Sequence, residues 1–527
     1  VDNANPKTKK KLGALATFWA IIPIILVVIL YLSNVMSLFS ALVLLLLWVI
    51  VVRSNAEIFL IAFIMAMIIR CFSIEVYKIP TGSMEPTLHG DMRDGDRVIA
   101  DKITFLIQPI KRYDVLLFRF PLDKTTNFIK RVVGLPSEEI MIKHGDIYVR
   151  PFKNGKEDEG GDFAIAKKPL GKQESIWMPV WPETGKGSKW NGDEDYLRDN
   201  WNLPKDNQYR IENGKLYLQG NTVIKYQHEI RDWYPWNDGN HNVTDLKLAF
   251  RFIAEESGGE IQTTLKTQSG NITVRLFPAK ANPPDSESPN LTWHFRFPSS
   301  DLMSWPNTFE FNVPEQNVFI SQKIDVSIEP GKEYLVELLN FDGSFYFKLN
   351  KKVVLKYDYI TDLKNAYTDA NVADEPISIE AKKHPVVLSD FYIGRDVYYA
   401  CDYDSRGVLK EGKPFSIPAG KYFAIGDNVP NSKDSRAWRV RTVTLKNGKV
   451  IKADVDSVVD DGDEIRIVRE RSKNRGGDIW GVSHVIKKSD IDYDNYDVEP
   501  YPFVSEDEIF GRGLFIYWPI KRVKLIR

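Results

Sequence analysis

The sequence predicts N-terminal transmembrane helices followed by a mostly β chain, in which one small β core carries an inserted β-sandwich-like domain. Three observations carry this. Long apolar runs crowd the first 76 residues. After Ile74, short segments rich in β-branched and aromatic residues take over, and helix-period patterns become scarce. Turn signals such as Ser269-Gly270 and Asp342-Gly343 then recur at intervals suited to a sandwich.

Leu12 to Leu32 is long enough to span a bilayer and is broken only by Gly13, Thr17 and Pro23. Val35 to Val52 is a second run and Ile58 to Ile74 a third. No small-residue cleavage pattern follows the first, and the repetition argues against a removable leader. Lys7, Lys9, Lys10 and Lys11 precede the first run, the Ser33-Asn34 loop is uncharged, and Arg53 separates the second run from the third. Positive charge stays inside. Three crossings therefore place everything after Ile74 on the outer face of the cytoplasmic membrane, with Arg70 snorkelling to the interface. The chain opens on Val1, which fits a start further upstream or an unusual start codon.

Composition narrows the function. Lys and Arg total 70 against 71 Asp and Glu in 527 residues, so no global field attracts nucleic acid. Cys71 and Cys401 do not make a disulfide framework or a metal site, and the seven histidines lack ligand spacing. No metal or cofactor is expected.

The chemistry lies just beyond the third run. Ile79-Pro80-Thr81-Gly82-Ser83-Met84-Glu85-Pro86-Thr87 places a serine in a Pro/Gly-bounded turn, and Asn127-Phe128-Ile129-Lys130-Arg131-Val132-Val133 places a lysine on a later apolar segment. Alone, a serine is ordinarily a turn residue and a lysine a strand-edge charge. Together they suit a dyad in which a neutral amine takes the hydroxyl proton. An amine near its ordinary pKa of about 10.4 is no base at neutral pH, so it needs burial among neighbours such as Ile129, Val132 and Val133. Phe105-Leu106-Ile107 is a candidate either for core packing or for dipping into lipid.

These blocks resemble the bacterial type I signal peptidases, here as a long variant with large insertions. The serine block is followed by Gly95-Asp96-Arg97-Val98, Arg112-Tyr113-Asp114-Val115-Leu116-Leu117-Phe118 and the lysine block. Gly426-Asp427-Asn428-Val429-Pro430-Asn431-Ser432-Lys433-Asp434-Ser435-Arg436 comes next, and Ile509-Phe510-Gly511-Arg512-Gly513 with Phe515-Ile516-Tyr517-Trp518-Pro519 ends the series. The resemblance implies Ser83 as nucleophile and Lys130 as general base. It implies an oxyanion hole from Thr81 and the Ser83 amide, Ser432 orienting the amine, and Asp434 with Arg436 as a supporting ion pair. Val429-Pro430 departs from the Arg-Asp of many members.

The expected layout is a membrane anchor (1–76), a catalytic core in three parts (77–150, 415–438, 501–527) and two insertions (151–414, 439–500). In the first insertion, 151–207 reads as an extended crossover. Strands are then expected at Lys215 to Leu218, Asp245 to Ile253, Ile272 to Phe277, Trp293 to Phe297, Val318 to Ile328, Tyr334 to Leu339 and Ser344 to Leu349. The stretch from Glu333 to Phe347 resembles concanavalin-like and laminin-G-like sandwiches. Trp233, Trp236 and Trp293 could form a glycan platform but fit core packing or loop anchoring better. In the second insertion, Asp460-Asp461-Gly462-Asp463-Glu464 reads as a solvated turn, because it lacks the spacing of a calcium loop. A linker in place of residues 160–405 is expected to leave cleavage measurable.

The function expected from this reading is a membrane-bound serine endopeptidase that removes signal peptides from secretory preproteins with small residues before the cut. The alternative is a non-enzymatic membrane-anchored binding protein that uses the sandwich on a peptidase scaffold.

Overall fold

The computed structural model describes residues 74–103, 108–152, 161–182, 190, 192–232, 239–255, 259–278, 308–313, 318–360, 374–401, 408–470 and 480–526. The three apolar runs, Phe105-Leu106-Ile107 and the tryptophans Trp233, Trp236 and Trp293 lie outside these residues. Among the described residues, no helix is long and apolar enough to cross a membrane. The chain divides into two compact units, Val1–Val76 with Ala100–Ile107, and Tyr77–Ile99 with Gln108–Arg527. In the first, Lys102 is ion-paired with Glu75.

The second unit is built almost wholly from antiparallel strands. Its first sheet includes, in order, Ile509–Trp518, Val115–Phe120, Asp123–Gly134, Lys421–Ile425 and Val504–Ser505, with Lys524–Leu525 also paired to Ile509–Trp518. Segments read as separate blocks in the sequence are thus hydrogen-bonded neighbours. A smaller sheet, Phe415–Ile417, Glu138–Lys143, Asp146–Pro151 and Ala164–Ile165, packs beside it. The stretch from Ile140 to Val149 reads as one strand from its β-branched and aromatic residues but is a hairpin. His144 and Gly145 form its turn with φ of 52° and 85°, and a glycine at the second turn position is what that backbone requires.

The first insertion forms two facing sheets. One runs Tyr209–Glu212, Lys215–Leu218, Val386–Arg395, Leu246–Ala254, Glu333–Phe341, Ser344–Leu349, Lys352–Asp358, with Met178–Trp181 also on Val386–Arg395. The other runs Val318–Lys323, Thr308–Val313, Gly270–Leu276, Glu260–Thr267, Ile377–Lys382, Thr222–Tyr226, Trp201–Asn202. Alternating buried residues, such as Leu248, Phe250 and Phe252 against Ile261, Leu265 and Ile272, fill the space between. Met178 is paired with Arg395, so the sandwich leaves the core where it re-enters it. Val318 to Ile328 is strand only to Lys323. The sequence between core and sandwich is not a simple crossover, because it contributes to both. Ala166, Ile176, Val397, Tyr399 and Cys401 pack with Val133, Ile140, Ile417 and Phe423 of the core.

The second insertion forms two three-stranded sheets, one of Arg439–Leu445, Val450–Asp454 and Ile491–Pro500, the other of Val458–Asp461, Glu464–Glu470 and Trp480–Lys487. Val443, Ala453, Ile465, Ile467, Ile486 and Ile491 give it a core of its own. The Asp461–Glu464 turn is exposed, with Gly462 at φ 60°.

Candidate active site

Ser83 lies in the middle of a single 3-10 turn, Gly82–Met84, which follows an extended Thr81 (φ −130°, ψ 148°). The turn is anchored from below, where Met84 is buried with Leu88, Val98 and Ile516. It is anchored from the side by Asn428, whose Nδ2 donates to Gly82 O at 2.9 Å and whose backbone N–H donates to Ser83 O at 3.2 Å. A peptide group is planar, so fixing the Gly82 carbonyl also fixes the direction of the Ser83 N–H across the same bond. Gly426 closes the arrangement. A Cβ there would sit 2.4 Å from Ser83 O and 2.2 Å from Ser432 Oγ, so no larger residue fits.

Lys130 sits on the Asp123–Gly134 strand, opposite Leu116. Its side chain is buried, and Nζ is hydrogen-bonded to Ser83 Oγ at 2.6 Å. Aromatic rings make the floor. Nζ stands 5.6 Å from the Phe128 centroid, and Phe128 stacks on Phe120 at 4.6 Å. Trp438 meets Phe118 and Phe120 edge-on at 5.9 and 5.4 Å. Burial disfavours the ammonium and pulls its pKa from 10.5 down to about 8. The Asp434 carboxylate opposes this, the Arg436 charge adds to it, and Asp427 opposes it again.

Two fully buried ion pairs frame the dyad. Arg436 Nε and Nη2 donate to the Asp434 carboxylate, each at 2.9 Å, while Gly426 N–H donates to Asp434 Oδ2 at 3.0 Å. Arg131, next to Lys130, donates to both oxygens of Asp427 at 2.7 Å and to Tyr113 O at 2.7 Å. Thr87 donates to the same carboxylate. Burying such pairs costs desolvation, but removing one partner strands the other charge, at roughly 3–5 kcal/mol.

The structure brings Ser83, Lys130, Ser432, Asp434 and Arg436 together. Thr81 is exposed, and its hydroxyl makes no capping hydrogen bond to the turn. Ser432 is fully buried against Gly426, yet its Oγ has no hydrogen-bond partner. The orienting bond to the amine that the resemblance implies is therefore not formed. At the departure from the family pattern, Val429 is buried in the core, and its carbonyl accepts from Arg436 Nη2 at 2.7 Å.

Sequence reasoning missed Arg131, Asp427, Asn428 and Gly426 as working residues. Arg131 and Asp427 were discoverable, because an arginine inside an apolar strand requires a buried acid. The roles of Asn428 and Gly426 depend on where the chain folds back, and no local pattern carries that. Away from the dyad, Asp146, Asp245 and Asp342 carry carboxylate oxygens within 4.8 Å of one another. Asp342 is bonded to Lys168, and Asp245 accepts from Asp342 N–H at 2.8 Å. Burial, with the Asp146, Asp396 and Asp342 charges, raises Asp245 well above the usual carboxylate range. Asp342 and Asp245 thus already have protein partners, Lys168 and the Asp342 backbone.

A hydroxyl in hydrogen-bond reach of a buried amine is the arrangement of serine hydrolases that use lysine as base. The sequence model described as "Signal peptidase, peptidase S26" matches residues 52–225 and 365–458, half of the chain. The chain belongs to that family.

Signal peptidase I of Bacillus licheniformis is 32% identical over 127 residues, covering 21% of this chain and 66% of that protein. A probable signal peptidase I of Synechocystis sp. is 40% identical over 101 residues (18% and 42%). Signal peptidase I of Pseudomonas aeruginosa is 29% identical over 188 residues (33% and 58%). The chain thus spans less than two thirds of the length of these relatives. A carbohydrate binding module from Bacillus subtilis overlaps 37% of this chain and 95% of its own, with 8% identity and a TM-score of 0.22, a likeness too slight to bear on function.

Proposed function

We propose that the chain is a membrane-bound endopeptidase that cleaves N-terminal signal peptides from exported preproteins with a Ser83/Lys130 dyad. The 2.6 Å approach of a buried amine to Ser83 Oγ is the observation that carries this reading. With the amine neutral, Ser83 Oγ–H donates to Lys130 Nζ. The oxygen attacks the scissile carbonyl while Nζ takes the proton. The Ser83 N–H, aimed by Asn428, and the Thr81 hydroxyl stabilise the oxyanion. The ammonium then returns the proton to the leaving amine, and Lys130 next activates the water that frees the enzyme.

The chain's own residues suffice for these steps. Substrates are preproteins with small residues before the cut, as the family resemblance implies. The apolar runs within 1–76 anchor the protein in the cytoplasmic membrane with its catalytic domain outside. Leu514, Trp518, Ile520, Val523 and Leu525 are exposed near the end of the chain, which suits a domain working against lipid.

The test is cleavage of a preprotein by the purified chain in detergent. Ser83→Ala and Lys130→Arg should each abolish it, since guanidinium cannot serve as the base. In the wild type, kcat/KM should rise with pH and level off above about 8, where the amine is neutral. Near-normal turnover by either variant would rule out the dyad.

A further inference from the structure

Residues 439–500 carry none of the proposed catalytic groups, yet they grip the loop that frames the dyad. Ser432, Asp434 and Arg436 are fully buried towards the dyad, while Lys433 between them remains about one-third exposed. Its ammonium is bonded to Asp454, the last residue of the Val450–Asp454 strand, and lies 2.6 Å from Asp456 in the turn that follows. The same ammonium stands 5.7 Å from the Phe120 centroid. Phe120 stacks on Phe128, the ring beneath Lys130 Nζ. Burial works against the Lys433 charge, but the hydrogen bonds to Asp454 and Asp456 outweigh it and raise its pKa.

The second insertion therefore reaches the dyad by two routes. One is the backbone from Lys433 into Ser432 and Asp434, and the other is the aromatic floor. Stability is a weak account of the contact, because the exposed Asp456 pair contributes at most about 1 kcal/mol and burial works against the Asp454 charge. Two acids holding one ammonium from different positions do fix where that ammonium stands.

We propose that Asp454 and Asp456 are positioning residues: through Lys433 they clamp the Ser432–Arg436 loop and the Phe120–Phe128 floor, holding Lys130 against Ser83 and keeping water from its amine. This rests on the Ser/Lys peptidase reading.

The test measures kcat and KM against pH for full-length Lys433→Met, Asp454→Asn/Asp456→Asn, Asp456→Asn and Lys433→Arg. Lys433→Met and the double variant should lose about tenfold in kcat, with KM within about twofold, as expected for a misplaced group rather than lost substrate binding. Their acid limb should move upward as the amine is rehydrated. Asp456→Asn should show a smaller change of the same kind, and Lys433→Arg should keep the wild-type profile. Wild-type kcat in the first two variants, or lower kcat with an unmoved limb, overturns the proposal. If those two fail to fold, Asp456→Asn decides, because Asp456 is 72% exposed and a wild-type profile there is fatal. A wild type that cleaves nothing defeats the peptidase reading itself.

Discussion

Lys130→Met should make this protein more stable while abolishing its chemistry. The buried amine has a pKa of about 8 against an ordinary 10.5. Where both folded and unfolded chains are protonated, that gap is a penalty on the folded state. At about 1.4 kcal/mol per pH unit it is worth about 3 kcal/mol. Methionine has nearly the same length and no charge, so it escapes the penalty. It also forfeits the hydrogen bond to Ser83 Oγ, about 1 kcal/mol, leaving a net gain of about 2 kcal/mol at pH 7.

The sign with pH follows from proton counts. Between about 8 and 10.5 the unfolded chain holds the proton that the folded chain has lost, so wild-type stability rises with pH across that window. The advantage of methionine should therefore be full at pH 7 and largely gone by pH 10.5. Chemical denaturation of wild type, Lys130→Met and Ser83→Ala at both pH values measures this. Ser83→Ala is the control, since it removes the hydrogen bond but keeps the buried amine, and should show no gain. A Lys130→Met chain less stable than wild type at pH 7, or an advantage that does not shrink at pH 10.5, would refute a desolvated lysine.

Gly426→Ala should lower kcat about a hundredfold, because its Cβ has room only if the Ser83 carbonyl moves, and displacements of about 1 Å cost that much. Overpacking should also lower stability by about 1–3 kcal/mol; unchanged turnover would mean that close packing of Gly426 against the Ser83 carbonyl does not fix the turn. Replacing residues 178–395 with a short Gly/Ser turn should leave cleavage of a short peptide measurable, since Met178 and Arg395 are paired and such Cα atoms lie about 5 Å apart. The wider cut at 160–405 should not fold, because it removes Ala166, Ile176, Val397, Tyr399 and Cys401 from the core. Peptide cleavage lost in a narrow-cut chain that still unfolds cooperatively would show that the sandwich buttresses the site.

Much of the site was legible because its chemistry is written in short blocks. Ser83 and Lys130 could be paired from residue type, order and apolar surroundings. The sandwich strands were legible from alternation, as at Ser344–Leu349, where the expected and observed limits coincide. Some features were hidden because they depend on distant partners. The hairpin at Ile140 to Val149 was different, since Lys143-His144-Gly145-Asp146 is a local turn signal between its apolar arms that reading the stretch as one strand passed over. The strands of the second insertion were masked by their charge, because its small core needs only alternate residues. Asn428 is an ordinary loop residue until the chain returns to lay it against Gly82.

The order of strands in this sheet also sets when the proposed dyad can be assembled. Serine and lysine are made early, but Asp434, Arg436 and Trp438, which shape the lysine's surroundings, follow about 300 residues later, and synthesis at about 5–20 residues/s puts a delay of roughly 15–60 s between them. The strand Ile509–Trp518, neighbour of Val115–Phe120, is made later still. On the proposed Ser/Lys reading, a nascent copy would therefore hold both halves of the dyad before it has the burial that lowers the amine's pKa.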